Sequence, residues 1–390
     1  MRRRVWLLAV LVSLLGALAG CGGVDSGGTG TGAAPQTLAV GPITGFGSII
    51  VNGVRYDDGM AMITDDDGRS IESSQLKLGM QAVVQASAIV SSGTVSTATA
   101  SRIAVRSDIV GPIEAINRTA GTLTVLGQTV AVVPATVFDA GLPMGVASLS
   151  TNDVVEVFGG YDAAASRYVA SRITLRSGVS AYKLRGPVAA LSLPARTLTI
   201  GTAVVDWSAV APVDPASALA PGRTIRVTVA TAPTAAGWRA TALSTGKPVL
   251  EDRDRVEIEG RISAFTSVTQ FEVNGFAVDA SAVPPADTAG LALGVKIEVT
   301  GSARGGVLLA QKVGREDDEG GNLELHGSIE SVDSVASRFI VRGVTVRWSA
   351  TTSFEGGSAA DILPNRQVEV RGGLSDDGTL LDATSIHIER

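Results

Sequence analysis

The sequence predicts an all-β protein built from five tandem, small, five-stranded OB-like β-barrel modules, and three observations carry that prediction. A glycine-led opening recurs five times. Two alternating apolar runs around a tight dipeptide follow each opening. Each copy then carries a Leu or Ile three residues before a Gly or Asn.

The openings are GPITGF at Gly41, GPIEAI at Gly111, GPVAAL at Gly186, GRISAF at Gly260 and GSIESV at Gly327, spaced 70, 75, 74 and 67 residues apart. Self-similarity at a fixed period signals a repeat architecture. The runs that follow are SIIVNGVRYD, TLTVLGQTVAV, TLTIGTAVVDW, QFEVNGFAVDA and RFIVRGVTVRW. Alternation about a dipeptide reads as two strands and a hairpin. Asn52-Gly53 and Asn274-Gly275 suit a turn with two positive φ angles. Leu126-Gly127 and Arg342-Gly343 suit it less, so a looser loop or a bulge is expected there, while Gly201-Thr202 completes the set.

The third signature pairs Leu76, Leu149, Leu219, Leu291 and Ile362 with Gly79, Asn152, Gly222, Gly294 and Asn365. Gly and Asn enter the left-handed region at least cost. A short helical turn capped by a left-handed residue, with the apolar side chain plugging the core, accounts for the pair. A strand with inward positions such as Val155 and Val157 follows, then a fifth strand such as YVASRITLRS. Three strands, a helical turn and two strands is the order of an OB-like barrel.

The expected boundaries are a signal peptide at 1–20, a Gly/Ser/Thr tether at 21–37, and β modules at 38–106, 107–178, 181–246, 254–315 and 322–390. A module of about 70 residues buries roughly 60% of its unfolded surface and can just stand alone. Beads on a string are therefore expected, with polar linkers at Lys247 to Asp254 and Glu316 to Asn322, and an array lacking residues 183–246 should still fold. The alternative is a five-bladed β-propeller. Against it, the last copy completes its own fifth strand.

At the N-terminus Arg2, Arg3 and Arg4 precede an apolar run from Val5 to Ala19, the pattern of a secretory signal. The run is shorter than the roughly 20 residues a spanning helix needs. Leu18-Ala19-Gly20-Cys21 resembles the bacterial lipoprotein signal, which implies lipid on the Cys21 thiol and cleavage before it. Two or three acyl chains make release from a bilayer negligible. Gly22, where inner-membrane lipoproteins usually carry Asp, points to the outer membrane, facing the periplasm or the cell surface. The cell envelope is the expected location, with the membrane as partner through Cys21.

The repeats, opened by GPITGFGSIIVNGV, resemble the family called domain of unknown function 5666, found as tandem copies in bacterial lipoproteins. That resemblance implies architecture and no activity, ligand or site residue.

Chemistry is sparse. Removing the three leader arginines from 32 basic residues leaves a net charge near −9 against 38 acidic ones, which disfavours nucleic acid. One cysteine excludes internal disulfides. His326 and His387 are the only histidines and sit on the first and fifth strands of the last module, with Glu324 and Glu389 the nearest candidate ligands by alternation. Asp65-Asp66-Asp67-Gly68 reads as a turn and Glu316-Asp317-Asp318-Glu319 as a solvated linker; neither has EF-hand spacing. No nucleophile elbow or P-loop occurs in the mature chain. Trp207, Trp238 and Trp348 read as packing residues, with a carbohydrate platform as the sharper alternative. The expectation is a non-catalytic, lipid-anchored envelope protein without cofactor or metal, its modules a spacer or interaction scaffold for an envelope protein or glycan. The alternative is an envelope ligand-binding protein for glycan or calcium, using barrel mouths or acidic turns.

Overall fold

The structure, a computed structural model, describes residues 37–93, 95–210, 219–245, 250–318 and 323–389. The signal peptide, most of the tether and Cys21 lie outside the described residues. No described helix is long and apolar enough to cross a membrane.

Five rings of strand pairing follow one another along the chain, here called barrels 1 to 5. Barrel 2 shows the plan: Ile109–Asn117, Thr122–Val125, Gln128–Phe138, Val154–Asp162 and Arg167–Leu175. Strands one, two and three pair antiparallel in turn. Strand three pairs parallel with strand five, five antiparallel with four, and four with one, closing the ring. The same pairings close barrel 1, whose strands one and five are Thr37–Gly45 and Val95–Arg106, and barrel 3, from Tyr182–Ser192 to Trp238–Thr245. They also close barrel 4, from Arg253–Ser267 to Val307–Arg315, and barrel 5, from Leu323–Asp333 to Leu380–Ile388. Each segment closes on itself, which is OB-like topology and not an open propeller blade.

The repeated residues build one latch five times. The N–H groups of Gly79, Asn152, Gly222, Gly294 and Asn365 donate to the carbonyls of Ile43, Ile113, Val188, Ile262 and Ile329 on their own first strands, at 2.8–2.9 Å. Each of those first-strand residues donates back to the carbonyl of the residue after the Gly or Asn, at 2.8–2.9 Å. The five latch residues have φ between 67° and 82°. They are not helix caps, however. The short helix Ser73–Gln75 ends at Leu76 in extended backbone, and Met80 N–H then bonds Lys77 O, making Gly79 the third residue of a separate tight turn. Positive φ at that place is what a type II turn requires, and proline favours the place before it. Pro221-Gly222 and Pro364-Asn365 fit that account. The preceding Leu76, Leu149, Leu219, Leu291 and Ile362 are all buried.

The hairpins correct an expectation. Leu126-Gly127 and Arg342-Gly343 form the same two-residue turn as the Asn-Gly pairs, with φ of 47° and 67° and of 50° and 73°. A left-handed residue with a Cβ costs roughly 1–2 kcal/mol. Burying Leu126 contributes about 1.5–3 kcal/mol and offsets it. Arg342 is held by its Nε–H to His326 O at 3.0 Å and by the Phe46 ring 4.5 Å below its guanidinium. Opening glycines make room for these turns: a Cβ on Gly111 would meet Leu126 Cγ at 2.4 Å, and one on Gly41 would meet Asn52 Oδ1 at 2.2 Å.

The barrels are not beads on a string. Residues 35–390 form one compact unit. Barrels 1 and 5 share one apolar core, and barrels 2 and 3 share another. Leu38 and Val40, on the outer face of barrel 1's first strand, belong to the core of barrel 4. That strand also pairs in parallel with Arg253–Ser267, from Thr37 opposite Arg255 to Val40 opposite Ile258. In Thr37-Leu38-Ala39-Val40 both faces are apolar, so one face is left for a neighbour. The supposed linker at Glu316 is docked too: Asp318 pairs with Arg261, and its carbonyl accepts from Ala135 N–H at 3.1 Å.

Candidate functional site

Where barrels 1, 2, 3 and 4 meet, the turn Asp65-Asp66-Asp67-Gly68 of barrel 1 points at barrel 3. Asp65 Oδ1 accepts the N–H groups of Asp67 and Arg69, each at 2.9 Å, and Gly68 takes φ of 77°. Asp65 is thereby used up in shaping the turn, leaving the next two carboxylates to project.

Their partners stand in register on the outer face of barrel 3. Arg185 on its first strand lies opposite Arg226 on its fourth, and Lys183 is two residues along from Arg185. Asp66 pairs with Arg185 at 2.8 Å and Arg226 at 2.6 Å, and Asp67 with Lys183 at 2.7 Å and Arg226 at 2.5 Å. Burial alone raises the Asp67 carboxyl, but the hydrogen bonds from Lys183 and Arg226 outweigh it and hold its pKa at about 2. Two carboxylates neutralised by three cations form an inter-barrel clamp. A hard cation would first have to displace those side chains.

Behind the clamp the chain passes from barrel 1 to barrel 2 through Arg106, Ser107 and Asp108. Asp108 N–H donates to Val157 O at 2.9 Å, and its carbonyl accepts from Arg185 N–H at 2.7 Å. Burial pushes the Asp108 carboxyl up to about 7, against the pull of Arg185 and Arg106. The same burial lowers Arg106 to about 10. Tyr168 O–H donates to Arg185 O at 2.5 Å, filling the space that a Cβ on Gly186 would take.

These residues border a cleft of about 490 Å³. Its walls are Gln81–Val83 of barrel 1, Gly159-Gly160 of barrel 2, the Pro221–Thr224 turn of barrel 3 and the Asn274-Gly275 hairpin of barrel 4. A second cavity of about 210 Å³ adjoins it at Gln81, Gly159, Gly160 and Asn274. Small-molecule sites commonly span roughly 300–1,000 Å³ and favour junctions between domains.

The structure places the sequence-predicted residues apart from this cleft, with one exception. Gly222 lies on its rim, while Asn152, Gly294 and Asn365 do not line it, and Gly79 lines the smaller cavity. Gly79 also touches barrel 2. Its carbonyl accepts from Ser171 Oγ at 2.6 Å, and Leu78 O accepts from the fully buried Arg172, whose guanidinium also pairs with Asp139.

His326 and His387 flank Glu369 across three adjacent strands. Their rings face different carboxylates, His326 Nε2 with Glu389 at 2.8 Å and His387 Nδ1 with Glu355 at 3.6 Å. Glu324 is taken by Arg55 and Arg371. Among the described residues no group of three or more His, Cys, Asp or Glu is placed to hold a metal ion. Trp207 is buried, Trp348 packs on Phe339 with ring centres 5.8 Å apart, and Trp238 meets Tyr182 edge-on at 5.8 Å.

Sequence reasoning missed Arg172, Arg185 and Arg226, and gave Asp66 only as part of an acidic turn. A usable signal existed for barrel 3: Lys183 and Arg185 alternate outward on one strand and meet Arg226 on the next, a basic row on an acidic protein.

No curated protein matches the chain. The family model described as domain of unknown function (DUF5666) matches residues 110–174, 259–314 and 326–387, which fall on barrels 2, 4 and 5. The matched barrels share the same strand order and latch, consistent with a chain that carries this domain as repeats.

Proposed function

We infer that this is a non-catalytic, lipid-anchored protein of the bacterial cell envelope, held in the outer membrane through Cys21, whose barrels form an interaction scaffold. The observation that supports it is where the repeat places its recurring residues. All five copies spend them on the hairpin and on the latch between turn and first strand, and neither supplies a reactive group. The shared cores favour a compact scaffold over an extended spacer.

Labelling cells with a clickable fatty acid and fractionating them tests the anchor. The native chain should carry label in the membrane fraction, and Cys21→Ala should be unlabelled and soluble. A Cys21→Ala chain that still carries label in the membrane contradicts the reading. Crosslinking in intact cells then tests the scaffold role, which requires a specific partner that is lost in the soluble variant.

A second reading, an envelope ligand-binding protein, is favoured by the cleft of about 490 Å³ between barrels 1 to 4. It uses the junction in place of barrel mouths or acidic turns.

A further inference from the structure

Barrel 1 carries an apolar-tipped hairpin outside its ring of five strands. After its fourth strand, Gln81–Ala86, a short strand Val90–Ser92 pairs with the start of Val95–Arg106, from Val90 opposite Thr97 to Ser92 opposite Val95. Residues opposite one another in a ladder share a face, as do residues two apart on one strand, so Val90 and Val95 look out on the same side. They are 66% and 43% exposed, with Ile89 half-buried beside them.

The hairpin is suited to an apolar medium. No charged residue occurs from residue 78 to residue 101. Its hydroxyls are spent internally: Ser91 Oγ bonds Ser96 Oγ at 2.9 Å, Thr97 Oγ1 donates to Val90 O at 3.4 Å, and Ser87 Oγ accepts from Thr99 N–H at 3.0 Å. Polar groups already bonded within the protein enter such a medium at least cost. The other barrels differ at this place. The same connection carries Asp162 and Arg167 in barrel 2, Arg304 in barrel 4, and Asp376 and Asp377 in barrel 5, while that of barrel 3 exposes no large apolar side chain.

The partner follows from where the chain enters the fold. Thr37 lies opposite Ala86, and the hairpin runs on past that row, placing Val90 no more than about 14 Å further along. The stretch from Cys21 to Thr37 reaches at most about 55 Å. A lipid on Cys21 therefore holds this end of the fold, and the hairpin with it, within reach of the bilayer. Two valines bind a free bilayer only weakly, but a contact made by an anchored chain is intramolecular and needs little affinity of its own.

We propose that the Ile89–Val95 hairpin is a membrane-contacting tip, with Val90 and Val95 seated in the bilayer interface, and that it orients the barrels on the surface to which Cys21 is anchored. The proposal rests on the lipid-anchor reading.

Fluorescence quenching tests it on the acylated full-length protein, purified from membranes and reconstituted in vesicles of phosphatidylethanolamine and phosphatidylglycerol. Acylation blocks the Cys21 thiol, so Ser92→Cys, an exposed position on the valine face, takes a fluorophore alone. Ala165→Cys, exposed on the matching hairpin of barrel 2, is the reference. A nitroxide-bearing lipid should quench the Ser92 label and leave the Ala165 label bright, and aqueous iodide should do the reverse. Val90→Asp with Val95→Asp should abolish the lipid quenching with an unchanged circular dichroism spectrum, and Val90→Thr with Val95→Thr, which keeps the β-branched shape, should reduce it. In protein shown to be acylated, a Ser92 label as open to iodide as the Ala165 label overturns the hairpin contact and leaves the anchor standing. Lipid quenching that survives both aspartates also overturns it. A Ser92 label shielded in intact envelopes but open on vesicles replaces the bilayer with a protein partner. Native protein recovered without acyl chains contradicts anchor and hairpin together.

Discussion

Gly79 and Gly222 occupy the same turn in barrels 1 and 3, with φ of 77° and 81° and the same bond to the first strand. Their surroundings differ. A Cβ on Gly79 would meet Ser171 O at 2.4 Å and Arg172 Cβ at 3.1 Å, whereas one on Gly222 would meet nothing within 4 Å. The repeat thus specifies a latch everywhere, and barrel-to-barrel packing is specified by residues that do not repeat. Arg102 and Arg172 make the same point. Both follow Ser in the motifs ASRIAVRS and ASRITLRS, yet Arg102 is exposed and Arg172 is fully buried at the joint between barrels 2 and 1.

The largest way to sharpen this comparison is to remove residues 183–246. Barrel 3 shares its core with barrel 2, so the deletion, which removes Leu184, Val188 and Ile225, should uncover their barrel 2 partners and strongly lower the melting temperature of what remains. Next is Arg172→Ala. Removing one partner of a buried ion pair costs about 3–5 kcal/mol, since Asp139 and Leu78 O then lose their donor. Arg102→Ala should fall within about 0.5 kcal/mol by urea unfolding.

The glycine pair comes third. Gly222→Ala should cost roughly 1–2 kcal/mol, the left-handed term alone. Gly79→Ala adds a backbone clash and should exceed it, so equal losses in denaturant unfolding would break the distinction.

A pH series is the subtlest comparison. Asp67 has a folded pKa near 2, below its unfolded value, so its contribution is present above about pH 4 and is lost as pH falls toward 2. Asp108 runs the other way. Its folded pKa of about 7 lies above its unfolded value, so stability declines as pH rises from about 4 through 7. Asp108→Asn should flatten part of that decline. Glu298, raised to about 7 by burial and by Glu257, Glu259 and Glu316, accounts for more of it, and Glu298→Gln should raise the melting temperature at pH 8.

What was legible in the sequence follows from this division. Strand order, hairpins and the inward rows Val155 and Val157 or Val368 and Val370 were readable because alternation and turn residues are local signals. The tightness of the Leu126 and Arg342 hairpins was not, since burial and the Phe46 ring come from elsewhere in the chain. The acidic turn looked like any solvated turn until Lys183, Arg185 and Arg226 came within reach across 116 to 159 residues. Association of the barrels left two traces, the doubly apolar Leu38-Ala39-Val40 and the outward basic row of Lys183, Arg185 and Arg226. The cleft left none, because four separate barrels build it.

The central claim is that the five barrels form one body joined by shared cores and clamps. Differential scanning calorimetry of the soluble Cys21→Ala protein tests it most directly. The account predicts fewer cooperative transitions than barrels, with barrels 1 and 5 melting together and barrels 2 and 3 together, and with Arg172→Ala lowering more than one barrel's transition. Five separable transitions, each indifferent to substitutions in the other barrels, would contradict it.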